Sequence, residues 1–217
     1  MLRHEYRFRV VAYETPIHVL ITRPPLRITA GDFLLEKKLK TPLIKEYPHQ
    51  YESRLRLKNG AGVFLRPVMP ADGQLIVDMF NKMSPQSIYF RFLRNLNALP
   101  ENMICKFTHV DYNSESALVA IIQEDGKDAI IAVGRYGYDS DEDITDLAVA
   151  VRDDWQHLGL GKSLLKKVVD IAKEHGISRF TCMMDSRNHK IKNILSALGY
   201  NVKYFPENGV SRVEIAV

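Results

Sequence analysis

Ile144-Thr145-Asp146-Leu147-Ala148-Val149-Ala150-Val151 leads through Arg152-Asp153-Asp154-Trp155 into Gln156-His157-Leu158-Gly159-Leu160-Gly161-Lys162-Ser163 and on to His175. The first part alternates. Leu147, Val149 and Val151 point one way, and Asp146, Ala148 and Ala150 the other, which is the period of a strand. After Gly159 the period changes to that of a helix. Leu164, Val168 and Ala172 recur every four residues with Leu165 and Val169 beside them, while Lys166, Lys167 and Lys173 keep mostly to the opposite side. The turn between holds two glycines, which let the backbone come close to a ligand. The first N–H groups of a helix have no internal partner and sit at the positive end of its dipole, so this turn is suited to a phosphate or pyrophosphate.

Three motifs compete for the turn. Gly161-Lys162-Ser163 resembles the end of a Walker A loop, but the glycine that motif requires five residues earlier is Gln156. A dinucleotide fingerprint fails because Gly159-Leu160-Gly161 is followed by Leu164 where a third glycine belongs, and no acid for a ribose is evident downstream. The third pattern, Q-x-x-G-x-G, matches Gln156, Gly159 and Gly161 at each fixed position; it is the acyl-CoA pyrophosphate loop of the GNAT N-acetyltransferase superfamily. A strand-to-helix turn that binds nothing remains the alternative at this point.

The chain has 217 residues, 46% hydrophobic and 26% charged, enough for one domain with a real core plus an extension, or for two small domains. A net charge of +4 favours an anionic ligand, yet the 30 basic and 26 acidic residues are interleaved. No basic run is fit to track nucleic acid, so no nucleic-acid partner is expected. No apolar run reaches the length of a membrane span and no signal-peptide core opens the chain, so neither a membrane nor export is expected and the location reads as cytoplasmic. Cys105 and Cys182 lie in apolar settings without metal-ligand spacing. They are expected to be buried free thiols, and no metal is expected.

Residues 1–55 are expected to form an extension containing two short strands, Tyr6 to Tyr13 and Ile17 to Ile21, with a further short element from Phe33 to Leu39. It could cover a sheet edge, serve as the arm of a homodimer, or bind a partner. Residues 56–217 read as one domain. A strand at Val63 to Val68 precedes a helix opened by Pro70, a second helix opened by Ser84-Pro85, and a third after Pro100. A hairpin turns at Glu124 to Asp128. Beyond the central strand and helix come a strand at Arg179 to Met184, a helix from Asn188 to Leu198 stopped by Gly199, and a closing hairpin that turns at Pro206 to Gly209. The result is an α/β (α+β) fold: a central mixed, mostly antiparallel sheet of about seven strands flanked by helices.

That order and the loop together resemble the GNAT superfamily over roughly residues 60 to 217, and within it the acetyltransferase half of bacterial protein lysine acetyltransferases. The likeness rests on Leu65-Arg66-Pro67-Val68-Met69-Pro70-Ala71-Asp72, Tyr89-Phe90-Arg91-Phe92, Asp146 to Gly161, and Asn188 with Leu198-Gly199-Tyr200. Tyr47-Pro48 and Leu57-Lys58-Asn59-Gly60 look like the linker entering that half. With only some 50 residues before the linker, the acyl-CoA-synthetase-like half of those proteins is not expected here.

The resemblance implies acetyl-CoA as cosubstrate. The amides from Leu158, Gly159, Leu160, Gly161 and Lys162 to Ser163, in the loop that begins with Gln156 and His157, would hold its pyrophosphate. The backbone from Val149 to Val151 would pair with the pantetheine arm, and Asn188 would touch that arm or cap the last helix. The family's base, a glutamate, corresponds to Asp146. Its ordinary pKa is about 3.9, burial on the strand would raise it, and a water could bridge its shorter reach. Glu142 and Asp111 are fallback bases. A family tyrosine that serves as general acid falls at Leu195, so the thiolate would leave unaided or through water. Lys162, Lys166, Lys190 and Lys192 are candidates for the cofactor's 3′-phosphate, and His157 and His189 read as surface residues. The acceptor is expected to be a lysine on a protein, such as an acyl-CoA synthetase, or else a small amine or amino acid. A non-catalytic acyl-CoA-binding module is the third possibility.

Overall fold

A computed structural model describes residues 46–139 and 143–217. The expected elements before Glu46, and Glu142, lie outside the described residues. A compact body runs from Ile44 to Val217, so it takes in the last residues of the stretch expected as the extension.

Among the described residues eight strands and five α-helices follow in the order β1 (Ser53–Arg56), β2 (Gly62–Pro67), α1 (Gly73–Asn81), α2 (Pro85–Phe92), α3 (Glu101–Thr108), β3 (Glu115–Glu124), β4 (Lys127–Asp139), β5 (Ile144–Val151), α4 (Leu160–Glu174), β6 (Arg179–Asp185), α5 (His189–Ala197), β7 (Asn201–Glu207) and β8 (Val210–Ala216). Instead of one sheet of about seven strands there are two. The larger runs β1-β2-β3-β4-β5, the smaller β6-β8-β7, and each hydrogen-bonded pair is antiparallel. β1 was not evident in the sequence because its four residues alternate between half-buried and exposed, without an apolar face.

Local chemistry sets the joints. Asp125-Gly126 and Asn208-Gly209 both have positive φ at each residue, the two-residue turn that matches strand twist, and they close the β3–β4 and β7–β8 hairpins. Arg66 and Asp72, both buried, pair at 2.6 and 2.7 Å; Asp72 also accepts from the amide of Met69 at 2.7 Å, which fixes the corner from β2 to α1. Ser84 caps α2 by accepting from Ser87 N at 3.2 Å.

The five-stranded sheet has a core on each face. Leu147, Val149 and Val151 of β5 face the α4 side, with Leu164, Leu165, Val168 and Val169. Ala150 faces the other side, with Ile76, Met79 and Phe80 of α1 and Ile88 of α2. Gly134 of β4 permits the close approach of α4, since a Cβ there would sit 3.0 Å from Leu164 Cγ and 3.1 Å from Val168 Cγ2. β5 and β6 lie side by side but are not hydrogen-bonded, and this split is where the site lies.

Candidate active site

β5 is bonded to β4 along one edge only. Arg152 N donates to Ile131 O at 2.9 Å. Because main-chain groups alternate along a strand, those of Val151 and Val149 are aimed the other way, into the split. A cavity of about 610 Å³ occupies it, lined by β5 from Asp146 to Val151, by Cys182, Met183 and Met184 of β6, and by residues of α2, α4 and α5.

The glycine loop closes one end. His157 has φ +64°, a left-handed conformation uncommon outside glycine. Gly159 has φ +90° and is followed by the helical Leu160, a left-handed-then-right-handed sequence that turns consecutive amides into an anion-binding concavity. The first helical amide to find a main-chain acceptor is Ser163, on Gly159 O at 3.1 Å. The amides of Leu160, Gly161 and Lys162 precede it and carry the helix dipole's positive end. The donor set therefore fits a diphosphate.

The expected loop residues divide. Gln156, His157, Gly159, Gly161 and Lys162 line the cavity, as do Val149, Val151 and Asn188. Leu158 and Leu160 send their side chains into the core, Leu160 at 1% exposure. Ser163 is a correction: its amide is spent on Gly159 and it does not line the cavity. Gln156 acts as a clip, its Nε2 donating to Val151 O at 2.9 Å and to Ser87 Oγ at 3.2 Å, while its Oε1 accepts from Lys190 Nζ at 2.6 Å. Val151 O is therefore already taken, which leaves the Val151 amide and the Val149 groups for a ligand. Asn188 accepts from Ile191 N at 3.4 Å, capping α5.

Asp153 ties α2 to this loop, accepting from Ser84 N and Oγ at 2.8 Å each and from Ser87 Oγ at 2.7 Å. Burial alone would raise its pKa; the Ser84 amide and the two hydroxyls outweigh burial and hold it below the usual carboxylate range. Lys58, on the β1–β2 turn, donates its amide to Leu158 O at 3.3 Å and lines the cavity beside Gly159. Its role was illegible in the sequence, where Leu57-Lys58-Asn59-Gly60 read only as part of a linker. Among the candidate phosphate lysines, Lys162 and Lys190 line the cavity. Lys166 pairs with Asp170 at 2.7 Å, and Lys192 donates to Ser186 O at 2.8 Å.

Asp146 lies at the opposite end of the cavity. The structure corrects the expectation of burial: Asp146 is exposed, at the mouth, where water reaches it. Asp111 does not line the cavity. It accepts from Asn113 N, Ser114 Oγ and Glu115 N at 2.8 to 3.0 Å, the work of a turn residue, so it is no substitute base. Leu195 lines the cavity at 1% exposure, and no tyrosine lines it among the described residues. Cys105, expected buried, is exposed. Cys182 does line the cavity. Burial, with Asp146 adding and Arg91 opposing, pushes its thiol up to about 12. At neutral pH it is a thiol and not a nucleophile. His157 and His189 are exposed, as expected.

The architecture is an α/β body whose sheet splits beside a glycine-rich helix start. The Acetyltransferase (GNAT) family matches residues 85–200, and the chain belongs to that family. It is 28% identical over 155 residues to an acetyltransferase of Pseudomonas aeruginosa, covering 71% of this chain and 82% of that one. It is 24% identical over 146 residues to the acetyltransferase Pat of Mycolicibacterium smegmatis, covering 67% of this chain but only 43% of Pat. The GNAT domain of S. lividans PAT superposes with a TM-score of 0.71 at 28% identity, over 79% of this chain and all of that domain.

Proposed function

We propose that the protein moves the acetyl group of acetyl-CoA directly to a primary amine, foremost a lysine side chain on another protein. The observation that carries this reading is one continuous cavity that begins at the unpaired amides after Gly159, runs along the free edge of β5 and ends at the Asp146 carboxylate. The amides of Leu160, Gly161 and Lys162, with Lys58 and Lys162 beside them, would hold the diphosphate. The Val149 main chain would pair with the pantetheine arm as an added strand does.

The amine attacks the thioester carbon, a C–N bond forms, and the C–S bond breaks. Asp146, through a water, accepts the proton that the amine must lose. A main-chain N–H in the split meets the oxyanion. The thiolate takes its proton from water, since Leu195 has none to give and a thiol's ordinary pKa of about 8.5 makes it a tolerable leaving group. A protonated Cys182 favours direct transfer over an acyl-cysteine intermediate. The sequence resemblance to bacterial protein lysine acetyltransferases supports a protein acceptor, and so does the placement of Asp146, exposed at the cavity mouth where a side chain of another protein can reach it.

The test is incubation of the full chain with acetyl-CoA and a panel of proteins and small amines, read by mass spectrometry. Acetyl-lysine on protein acceptors is the expected product. Absence of transfer to any amine, with CoA still bound calorimetrically, would leave only a binding module.

A further inference from the structure

Arg91 lines the cavity, and among the described residues its guanidinium has no hydrogen-bond acceptor. It lies on α2 one helical turn past Ser87, the residue that touches Gln156, and so looks onto the far end of β5, where Asp146 and Ala148 line the same space. Its guanidinium rests over the rings of Phe92 at 5.1 Å and Phe107 at 5.8 Å. Among the described residues the guanidinium makes no hydrogen bond and no ion pair, only these ring contacts and through-space interaction with Asp146, Arg135 and Cys182.

Arg135, stacked on the same Phe107 at 5.3 Å, shows the difference. It donates to Glu115 at 3.1 Å and reaches Lys106 O at 3.5 Å. Arg91 has five N–H donors in a fixed fork and uses none. Burial pushes its pKa down, Asp146 opposing and Arg135 adding to the effect. A partly desolvated cation without an acceptor is costly unless a ligand supplies one. The rings hold it in place for that ligand.

We propose that Arg91 binds a carboxylate carried by the amine acceptor, so that the cavity selects acceptors in which the reactive amine and a carboxylate lie close together. Asp146 and Arg91 line the same end of the cavity without pairing with each other. Together they complement an ammonium and a carboxylate on one molecule. An acidic residue beside the lysine of a protein and the free carboxylate of an amino acid present the same group. The inference rests on the amine-acetylation reading and narrows its acceptor.

Two matched pairs separate the sources: a peptide with aspartate beside lysine against its asparagine twin, and Nα-acetyl-lysine against its C-terminal amide. Each is assayed for CoA release from acetyl-CoA and, independently, for calorimetric binding to the CoA-saturated full chain. The carboxylated member of at least one pair is expected to exceed its neutral twin by about tenfold in kcat/KM and in affinity, as a charge-assisted contact would give. In Arg91→Met, which keeps the apolar packing on both rings, the ratio should fall to about one; Arg91→Lys should keep part of it. Preferential binding without transfer to any acceptor would sink the acetylation reading and leave the role of Arg91 standing. Equal binding of both members in both pairs, or a preference that survives in Arg91→Met, overturns it. So does a preference for succinyl-CoA over acetyl-CoA that Arg91→Met abolishes, because the carboxylate would then belong to the donor.

Discussion

Replacing Gly159 by alanine tests the anion loop where its geometry is most demanding. A Cβ at this position meets nothing closer than Lys58 Cε at 3.8 Å, so crowding contributes nothing. The whole effect comes from φ +90°, a left-handed conformation that costs a residue with a Cβ about 1–2 kcal/mol. That strain has two places to appear. If the loop holds, the free protein loses that stability, a melting decrease of about 2 to 8 °C for a chain of this size. If the loop relaxes, the amides of Leu160 and Gly161 turn away from the diphosphate. Losing one charge-assisted hydrogen bond then weakens CoA roughly tenfold or more. Thermal unfolding without ligand and calorimetric titration with CoA read the two outcomes separately. Gly161→Ala is the control: its Cβ would sit 3.3 Å from Ile194 Cδ1 and 3.4 Å from Val151 Cγ2, a modest squeeze offset by alanine's better helix propensity. Wild-type melting together with wild-type CoA affinity in Gly159→Ala would refute the reasoning, because the left-handed residue would then neither store strain nor aim an amide.

Asp146→Asn should lower kcat by about a hundredfold or more, the usual contribution of a general base, with CoA affinity unchanged by calorimetry; an unaltered transfer rate would remove Asp146 from the reaction. Gln156→Ala frees Val151 O and unfastens the loop from α2, so stability should drop by about 1–2 kcal/mol in chemical denaturation and CoA should bind more weakly. Hydrogen bonds from Arg152 and Lys82 hold Glu124 down at about 2. A depressed carboxylate contributes stability above its unfolded pKa of about 4.3 and loses it as pH falls toward the folded value. Wild type and Glu124→Gln should therefore differ most at neutral pH, and their melting temperatures should converge between about pH 4.5 and pH 2.

Several features were legible because they are local. The strand–turn–helix at Ile144 to His175 announces itself through a change of period, and the matching glycines depend on residues six or fewer apart. The Asp125-Gly126 and Asn208-Gly209 turns, the Ser84 cap and the Gly199 stop are equally short-range. The burial of Leu164, Leu165, Val168, Val169 and Ala172 followed from helical spacing alone.

What failed were several statements about the environment of single residues. Asp146 was expected to be buried because its strand is apolar, yet burial is decided by what packs against each position, and Asp146, near the start of β5, lies exposed at the open split. Ser163 looked like a loop amide, but it lies four residues past Gly159 and its amide closes the first helical hydrogen bond there. Asp111 and Cys105 gave no hint of the turn and the exposed helix face that hold them. Lys58, Ser87 and Arg91 lie scores of residues from the loop in sequence. The sequence by itself determined the elements from β2 onward, their order and the glycine turn that opens α4, since those depend on short-range spacing and backbone conformation. Only the tertiary structure decided that β5 and β6 part, that Gln156 is a clip, and that Arg91 faces Asp146 across a cavity. Those are contacts between segments whose proximity depends on how the whole core packs.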